Sequence, residues 1–136
     1  MDSANARTYL ATHHRAVLAT MRRDGTPQLS PVTVGVDAEG RAVISTRETA
    51  YKVRNVRRDP RVYLCVFPDG FYGEWRQIAG TAEIVSLPEA LPLLVDYYRD
   101  ISGEHPDWDD YRAAMVRELR VVLRIRISHV GPDRQG

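Results

Sequence analysis

Ile44-Ser45-Thr46-Arg47-Glu48-Thr49-Ala50-Tyr51-Lys52-Val53-Arg54-Asn55-Val56-Arg57-Arg58-Asp59-Pro60-Arg61-Val62 is the stretch that decides how the rest of the chain is read. Its first residues end a strand, where the apolar Val43 and Ile44 give way to Ser45-Thr46. Ala50, Val53 and Val56 then recur at every third position, a helical rather than an extended spacing. Thr49 is the expected N-cap. Asp59-Pro60 is the expected stop, because a residue before proline is driven out of the helical region. Arg61 to Phe67 follows as an apolar strand. A helix start therefore faces a strand end. Free backbone N–H groups and the positive end of a helix dipole lie beside the Ser45 and Thr46 hydroxyls, with Lys52 in the first helical turn, and such a place suits a phosphate. Lys52, Arg54, Arg57, Arg58 and Arg61 also fit a solvated basic face, with Arg58 on its outer side, and the residues alone leave both readings open.

Outward from this segment the chain reads as hairpins. Ser3 or Asp2 caps a short helix running to Thr12, with Tyr9 and Leu10 toward the core. Arg15 to Met21 is a strand, Arg23-Asp24-Gly25-Thr26 a turn, and Pro27 to Val36 the returning strand. Pro31 marks this second strand as an edge or a bulge, so Ser30-Pro31-Val32 is a place where the ladder is interrupted and a ligand can approach the backbone. Arg41 to Thr46 is the third strand and Arg61 to Phe67 the fourth. Phe71 to Val85, carrying Trp75, Gln77 and Gly80, is the fifth, and Val121 to Ile127 the last. Closely spaced antiparallel strands point to a barrel or sandwich. Pro88 and Pro106-Asp107 open two helices whose apolar residues, Leu91, Leu94, Val95 and Tyr98, then Trp108, Tyr111 and Met115, keep a core-facing spacing. Gly131 to Gly136 reads as a tail.

The 136 residues, 43% hydrophobic and 27% charged, fit one domain with a modest core. A net charge of +1 excludes a globally basic nucleic-acid binder, and the clustered arginines lack interleaved aromatics for base stacking. The single cysteine, Cys65, excludes an intrachain disulfide and reads as a buried, inert thiol. His13 and His14 have no further ligand-type residues nearby, so no metal site is expected. No basic segment followed by an apolar run opens the chain, and no segment is long enough to cross a bilayer, so a cytoplasmic protein is expected. Signatures for a P-loop, a serine elbow or a zinc helix are absent, which leaves any chemistry to a bound cofactor.

The motif Ser45-Thr46-Arg47, then Lys52, Asn55 and Arg58-Asp59-Pro60-Arg61-Val62, resembles that of the flavin and deazaflavin oxidoreductases of the pyridoxamine-5'-phosphate-oxidase-like split β-barrel class. The likeness runs from about Arg15 to Gly131. It is nearest to the small branch that uses the deazaflavin coenzyme F-420, through Tyr98-Arg99, Ile101, Gly103-Glu104-His105, Asp107 to Arg112 and Ile127 to Val130. The resemblance implies a mainly β split barrel with peripheral helices, assembled as a homodimer with cofactor sites at the interface. It implies that Lys52 contacts the cofactor phosphate with Asn55 close by, and that Ser45, Thr46 and Arg47 cradle the phosphate or ribityl chain. Ser30, Pro31 and Val32 would line the ring system. Trp75 would reach the site from the fifth strand of one subunit or the other.

Two departures accompany the likeness. A second basic residue usual two positions before the lysine is Ala50 here, and the C-terminal tryptophan-and-arginine motif of the vitamin B6 oxidases does not occur in Gly131 to Gly136. The expectation is an oxidoreductase passing hydride from reduced F-420 to an unsaturated organic acceptor. The alternatives are an FMN enzyme of the same fold and a non-catalytic flavin or deazaflavin carrier or sensor. The anionic tail of F-420, attracted by Arg54, Arg57 or Arg58, favours the deazaflavin.

Overall fold

The computed structural model describes residues 3–132. In chain order these form α1 (Ser3–Leu10), β1 (Arg15–Met21), β2 (Pro27–Val36), β3 (Ala42–Arg47), α2 (Tyr51–Arg58), β4 (Arg61–Phe67), β5 (Arg76–Val85), α3 (Ala90–Ser102), α4 (Trp108–Arg117) and β6 (Arg120–Gly131). The strands close an antiparallel barrel in the order β1-β2-β3-β6-β5-β4, with β4 returning to β1. It is the mainly β barrel with peripheral helices that the strand spacing and the resemblance implied.

Alternation along each strand builds the core. Leu18, Val34, Ile44, Leu64, Ile78, Leu123 and Ile125 turn inward and lose almost all solvent contact. Tyr9 and Leu10 of α1 close one end of this core. A second cluster, in which Leu94, Val95, Tyr111 and Met115 pack on Val43 and Val122, seats α3 and α4 on the outside of β3 and β6. Asp107 caps α4 by accepting the Asp110 N–H at 3.0 Å, and Gly103 ends α3 at φ +83°, where glycine carries no Cβ penalty.

Several boundaries differ from the expected ones. Thr49 does not cap α2. The Ala50 N–H donates to the Arg47 carbonyl at 3.0 Å, which uses Glu48 and Thr49 in a turn, and the helix begins after Ala50 with no side-chain cap. Pro88 lies in the turn before α3 rather than inside it. The fifth strand starts at Arg76, because Pro68 to Trp75 is folded into turns and docked on α1, where the Tyr9 hydroxyl donates to the Glu74 carbonyl at 2.6 Å. β6 runs on to Gly131 by pairing with the start of β5 after a register shift at Ala79/Gly80. A Cβ on Gly80 would stand 2.4 Å from the Arg126 carbonyl oxygen, so only glycine fits this crossing. The α1 helix ends at Leu10. The alternative cap Asp2 and the tail residues Asp133 to Gly136 lie outside the described residues.

Cys65 is half-buried on the outer face rather than fully buried, and desolvation pushes its thiol pKa up. His13 stacks on Tyr9, and His14 Nδ1 lies 2.8 Å from the Val34 carbonyl oxygen. No helix among the described residues is long and apolar enough to cross a membrane.

Candidate functional site

The barrel opens between β2 and β3. These strands pair only from Val34↔Ile44 to Val36↔Ala42, while β2 continues along β1 as far as Met21↔Pro27. The Val34 N–H donates to the His14 carbonyl, so Val34 turns its backbone groups toward β1, and Thr33 and Pro31 turn theirs toward the side where β3 has left. Pro31 therefore removes no ladder bond. It sits opposite Val17 in an unshifted β1 ladder, on an open edge, and the sheet's bulge lies elsewhere, at Ala79/Gly80.

The next pair after Val34↔Ile44 would be Thr33 with Ser45, and Tyr97 of α3 intervenes there. Its hydroxyl donates to the Thr33 carbonyl oxygen at 2.8 Å. Burial raises the Tyr97 pKa, while the Ser45 backbone amide and the charge of Arg120 act in the opposite direction. The phenol thus holds the β2 backbone edge where the sheet divides.

Beyond this point lies a cleft of about 410 Å³. Pro31, Val32 and Thr33 form one wall, and Ser45 and Thr46 the other. Lys52 enters from α2, Arg120 from the start of β6, and Tyr97, Tyr111 and Met115 from the two outer helices. The Tyr111 hydroxyl donates to the Leu94 carbonyl at 2.8 Å and has its pKa pushed up to about 12, chiefly by burial. Lys52 forms no ion pair among the described residues, and burial together with the neighbouring Arg120 charge lowers its pKa. Arg120 donates through Nε and Nη2 to Glu118 Oε1, at 3.0 and 2.8 Å, and Arg47 reaches the same oxygen at 3.5 Å.

Of the residues singled out from the sequence, the cleft gathers Ser45, Thr46, Lys52, Pro31 and Val32. Arg47 stays at the Glu118 ion pair, and Ser30 lies on the half-buried inner side of β2, opposite Leu18. Trp75 precedes β5, which stands across the barrel from β2, and takes no part in this cleft of its own chain. Asn55 points into the protein. Its Nδ2 donates to Thr20 Oγ1 at 3.0 Å and to Gln28 Oε1 at 2.9 Å, and its Oδ1 accepts from Arg58. Arg58 also donates to the Met21 carbonyl at 2.6 Å, so it ties α2 to β1 instead of resting on an outer face. Thr33, Tyr97, Tyr111, Met115 and Arg120 were missed in the sequence. Arg120 carried no local signal, because its place beside Lys52 depends on the pairing of Arg47 with Arg120 between β3 and β6.

A model of the pyridoxamine 5'-phosphate oxidase family matches residues 3–132. The chain belongs to the pyridoxamine 5'-phosphate oxidase family. Among solved structures similar to this family member, a conserved hypothetical protein from Mycobacterium tuberculosis is 28% identical, over 96% of this chain and 82% of its own, with a TM-score of 0.76. An F420 reductase is 24% identical over 92% of this chain and 94% of its own, with a TM-score of 0.70. A heme binding protein from Mycobacterium smegmatis is 23% identical over 98% of this chain and 56% of its own, with a TM-score of 0.69. The last two likenesses, below 25% identity, carry the fold of the family and not an activity.

Proposed function

We propose that this protein is an oxidoreductase that binds coenzyme F-420 in the β2–β3 cleft and delivers its hydride to an unsaturated organic acceptor. The observation that carries this reading is Lys52, a half-buried cation with no ion pair among the described residues, in a cleft lined by Ser45 and Thr46. Such a charge favours an anion, and a phosphate also meets the uncapped start of α2. The open edge of β2 suits the polar rim of a planar ring, since the backbone groups of Pro31 and Thr33 face away from β1. When bound, the deazaflavin supplies the hydride chemistry. The protein's residues hold the phosphate, orient the ring and exclude water.

The arginines of α2 divide by what they already hold. Arg57 pairs with Glu48 and Arg61 with Asp59, and Arg58 is bonded to Met21. Arg54 lies over the exposed Tyr51 ring and has no carboxylate partner among the described residues, so it is the arginine we assign to an anionic cofactor tail. Asn55 is reassigned from ligand contact to support of α2.

The proposed assembly is a homodimer. On the outer face, Leu29, Ala19, Tyr63 and Ala79 form one cross-strand row, and Pro31, Val17 and Cys65 the next. Leu29 is 64% exposed and Phe71, beyond the same face, 68%. An apolar surface of this kind at the cleft's edge fits a second copy, which would also bring its own Trp75 loop toward the site.

Titration of F-420 and FMN into cofactor-free protein tests the reading. F-420 is expected to bind more tightly, with the difference shrinking as salt is added. Lys52→Ala is expected to weaken binding by about 10- to 150-fold while the protein stays folded. Unchanged affinity in that variant would remove the phosphate assignment. Oxidation of reduced F-420 that depends on an added enone or enoate separates an enzyme from a carrier or sensor.

A further inference from the structure

Pro31, Val32 and Thr33 border two spaces at once. Their strand edge walls the cleft, and a second recess of about 410 Å³ opens beside them on the outer face of β1 and β2. Val17 and Phe67 line that recess, and Phe67 stacks on Phe71, whose ring meets Tyr72 edge-on. Among the described residues that line it, Arg15 alone carries a charge. Arg15 stands between Thr33 and Phe67 in register across β2, β1 and β4, and its guanidinium has no ion pair or hydrogen bond among the described residues. A guanidinium so placed beside apolar side chains suits a carboxylate, because two parallel N–H donors match its two oxygens and low local polarity strengthens the pair. A molecule in the recess and a ring at the β2 edge touch the same three residues. That shared wall favours the approach of about 3–3.5 Å between reacting atoms that hydride transfer needs.

We infer that the recess is the acceptor site, that Arg15 binds the acceptor's carboxylate, and that the acceptor is therefore an enoate with an apolar or aromatic body. This deepens the oxidoreductase reading above and rests on it for the source of the hydride. The acceptor's β carbon takes the hydride and its α carbon a proton from water, so its carbon–carbon double bond becomes single. The reduced deazaflavin is oxidised by two electrons in the exchange and its other proton goes to water. An ionised carboxylate activates an alkene poorly. Arg15 offsets that charge and stabilises the negative charge that grows on the carboxylate oxygens as the hydride arrives, so it selects enoates over neutral enones. In the proposed dimer the second copy lies over the neighbouring rows of this face, and a carboxylate of that copy is the competing partner for Arg15.

Calorimetric titration of 3-phenylpropanoate, a saturated carboxylate that takes no hydride, tests the recess in the full chain with and without F-420. Wild type binds it more tightly than the uncharged 3-phenylpropanamide. That preference falls by about tenfold or more in Arg15→Gln and is partly kept in Arg15→Lys. With reduced F-420, the ratio of kcat/KM for cinnamate to that for the neutral enone 4-phenylbut-3-en-2-one falls in Arg15→Gln by a similar factor. No preference for the carboxylate in wild type, or a wild-type preference in Arg15→Gln, overturns the assignment even where F-420 binds. Loss of the dimer in Arg15→Gln with the carboxylate preference intact makes Arg15 an intersubunit ion-pair partner and overturns it too. Carboxylate binding that depends on Arg15, with no binding of F-420, supports the carboxylate site and overturns the cofactor reading.

Discussion

The Tyr97 hydroxyl and the Thr33 carbonyl oxygen meet at 2.8 Å where β2 and β3 separate, so a side chain from α3 takes over a bond that the sheet itself would make. The relationship links an outer helix to the geometry of the cleft. Opening the barrel leaves backbone groups without strand partners, and Tyr97 compensates at the vertex.

Tyr97→Phe is expected to lower stability by about 0.5–1.5 kcal/mol, the usual net worth of one hydrogen bond at a half-exposed site. The loss of cofactor affinity should exceed that caused by Tyr98→Phe, because Tyr98 does not line the cleft. Urea denaturation and calorimetric titration of the two variants provide the comparison.

Asn55→Ala is expected to cost about 2–3 kcal/mol of stability, since Thr20 and Gln28 each lose the amide they accept from inside the protein and Arg58 keeps only the Met21 carbonyl. Cofactor affinity, measured well below the unfolding transition, should fall much less than in Lys52→Ala. A large loss of affinity with unchanged stability would return Asn55 to the ligand.

Lys52→Met is expected to raise the Tm of the cofactor-free protein at neutral pH. The folded state lowers the Lys52 pKa from its ordinary 10.5, so keeping the ammonium charged costs folding energy below that lowered value. The cost disappears as pH rises through 10.5, where folded and unfolded chains have both lost the proton. The Tm difference between Lys52→Met and wild type should therefore shrink toward zero across that window, a trend that paired thermal melts along a pH series would reveal.

Gly80→Ala is expected to destabilise by about 3 kcal/mol or more, because the added methyl meets the Arg126 backbone and the Ile125 side chain at a fixed crossing of β5 and β6. Gly35→Ala, whose nearest neighbour is the end of the Ile101 side chain at 3.1 Å, should cost much less. Circular dichroism melts of the pair provide the contrast.

Tyr63→Arg, in the middle of the outer apolar row, is expected to convert the proposed dimer to monomer at micromolar concentration without unfolding the barrel, since this side chain points away from the core. Sedimentation velocity of wild type and variant, with cofactor present, measures it. A monomeric wild type would remove the interface model.

Local chemistry settled much of this molecule before any packing was known. β1, β2 and β4 lie where alternation and turn residues put them, because a strand's two-residue period and the positive φ of Gly25 are written in neighbouring positions. The helix bearing Lys52 was equally readable, since Asp59-Pro60 stops it and Val53 and Val56 supply its buried side. What neighbouring residues cannot carry is which way a polar residue on that helix turns once its apolar side is seated. Packing Val53 and Val56 against the barrel rotates Asn55 inward to Thr20 and Gln28 and leaves Lys52 facing the cleft. Strand pairing is the other decision made only in three dimensions. The ladder between β3 and β6 brings Arg120 beside Arg47, and the early end of the ladder between β2 and β3 creates the space that Tyr97, Lys52 and Arg120 share. Both outcomes follow from hydrogen bonds between residues far apart in the chain, whose partners are chosen by the closure of the whole barrel and not by the sequence on either side.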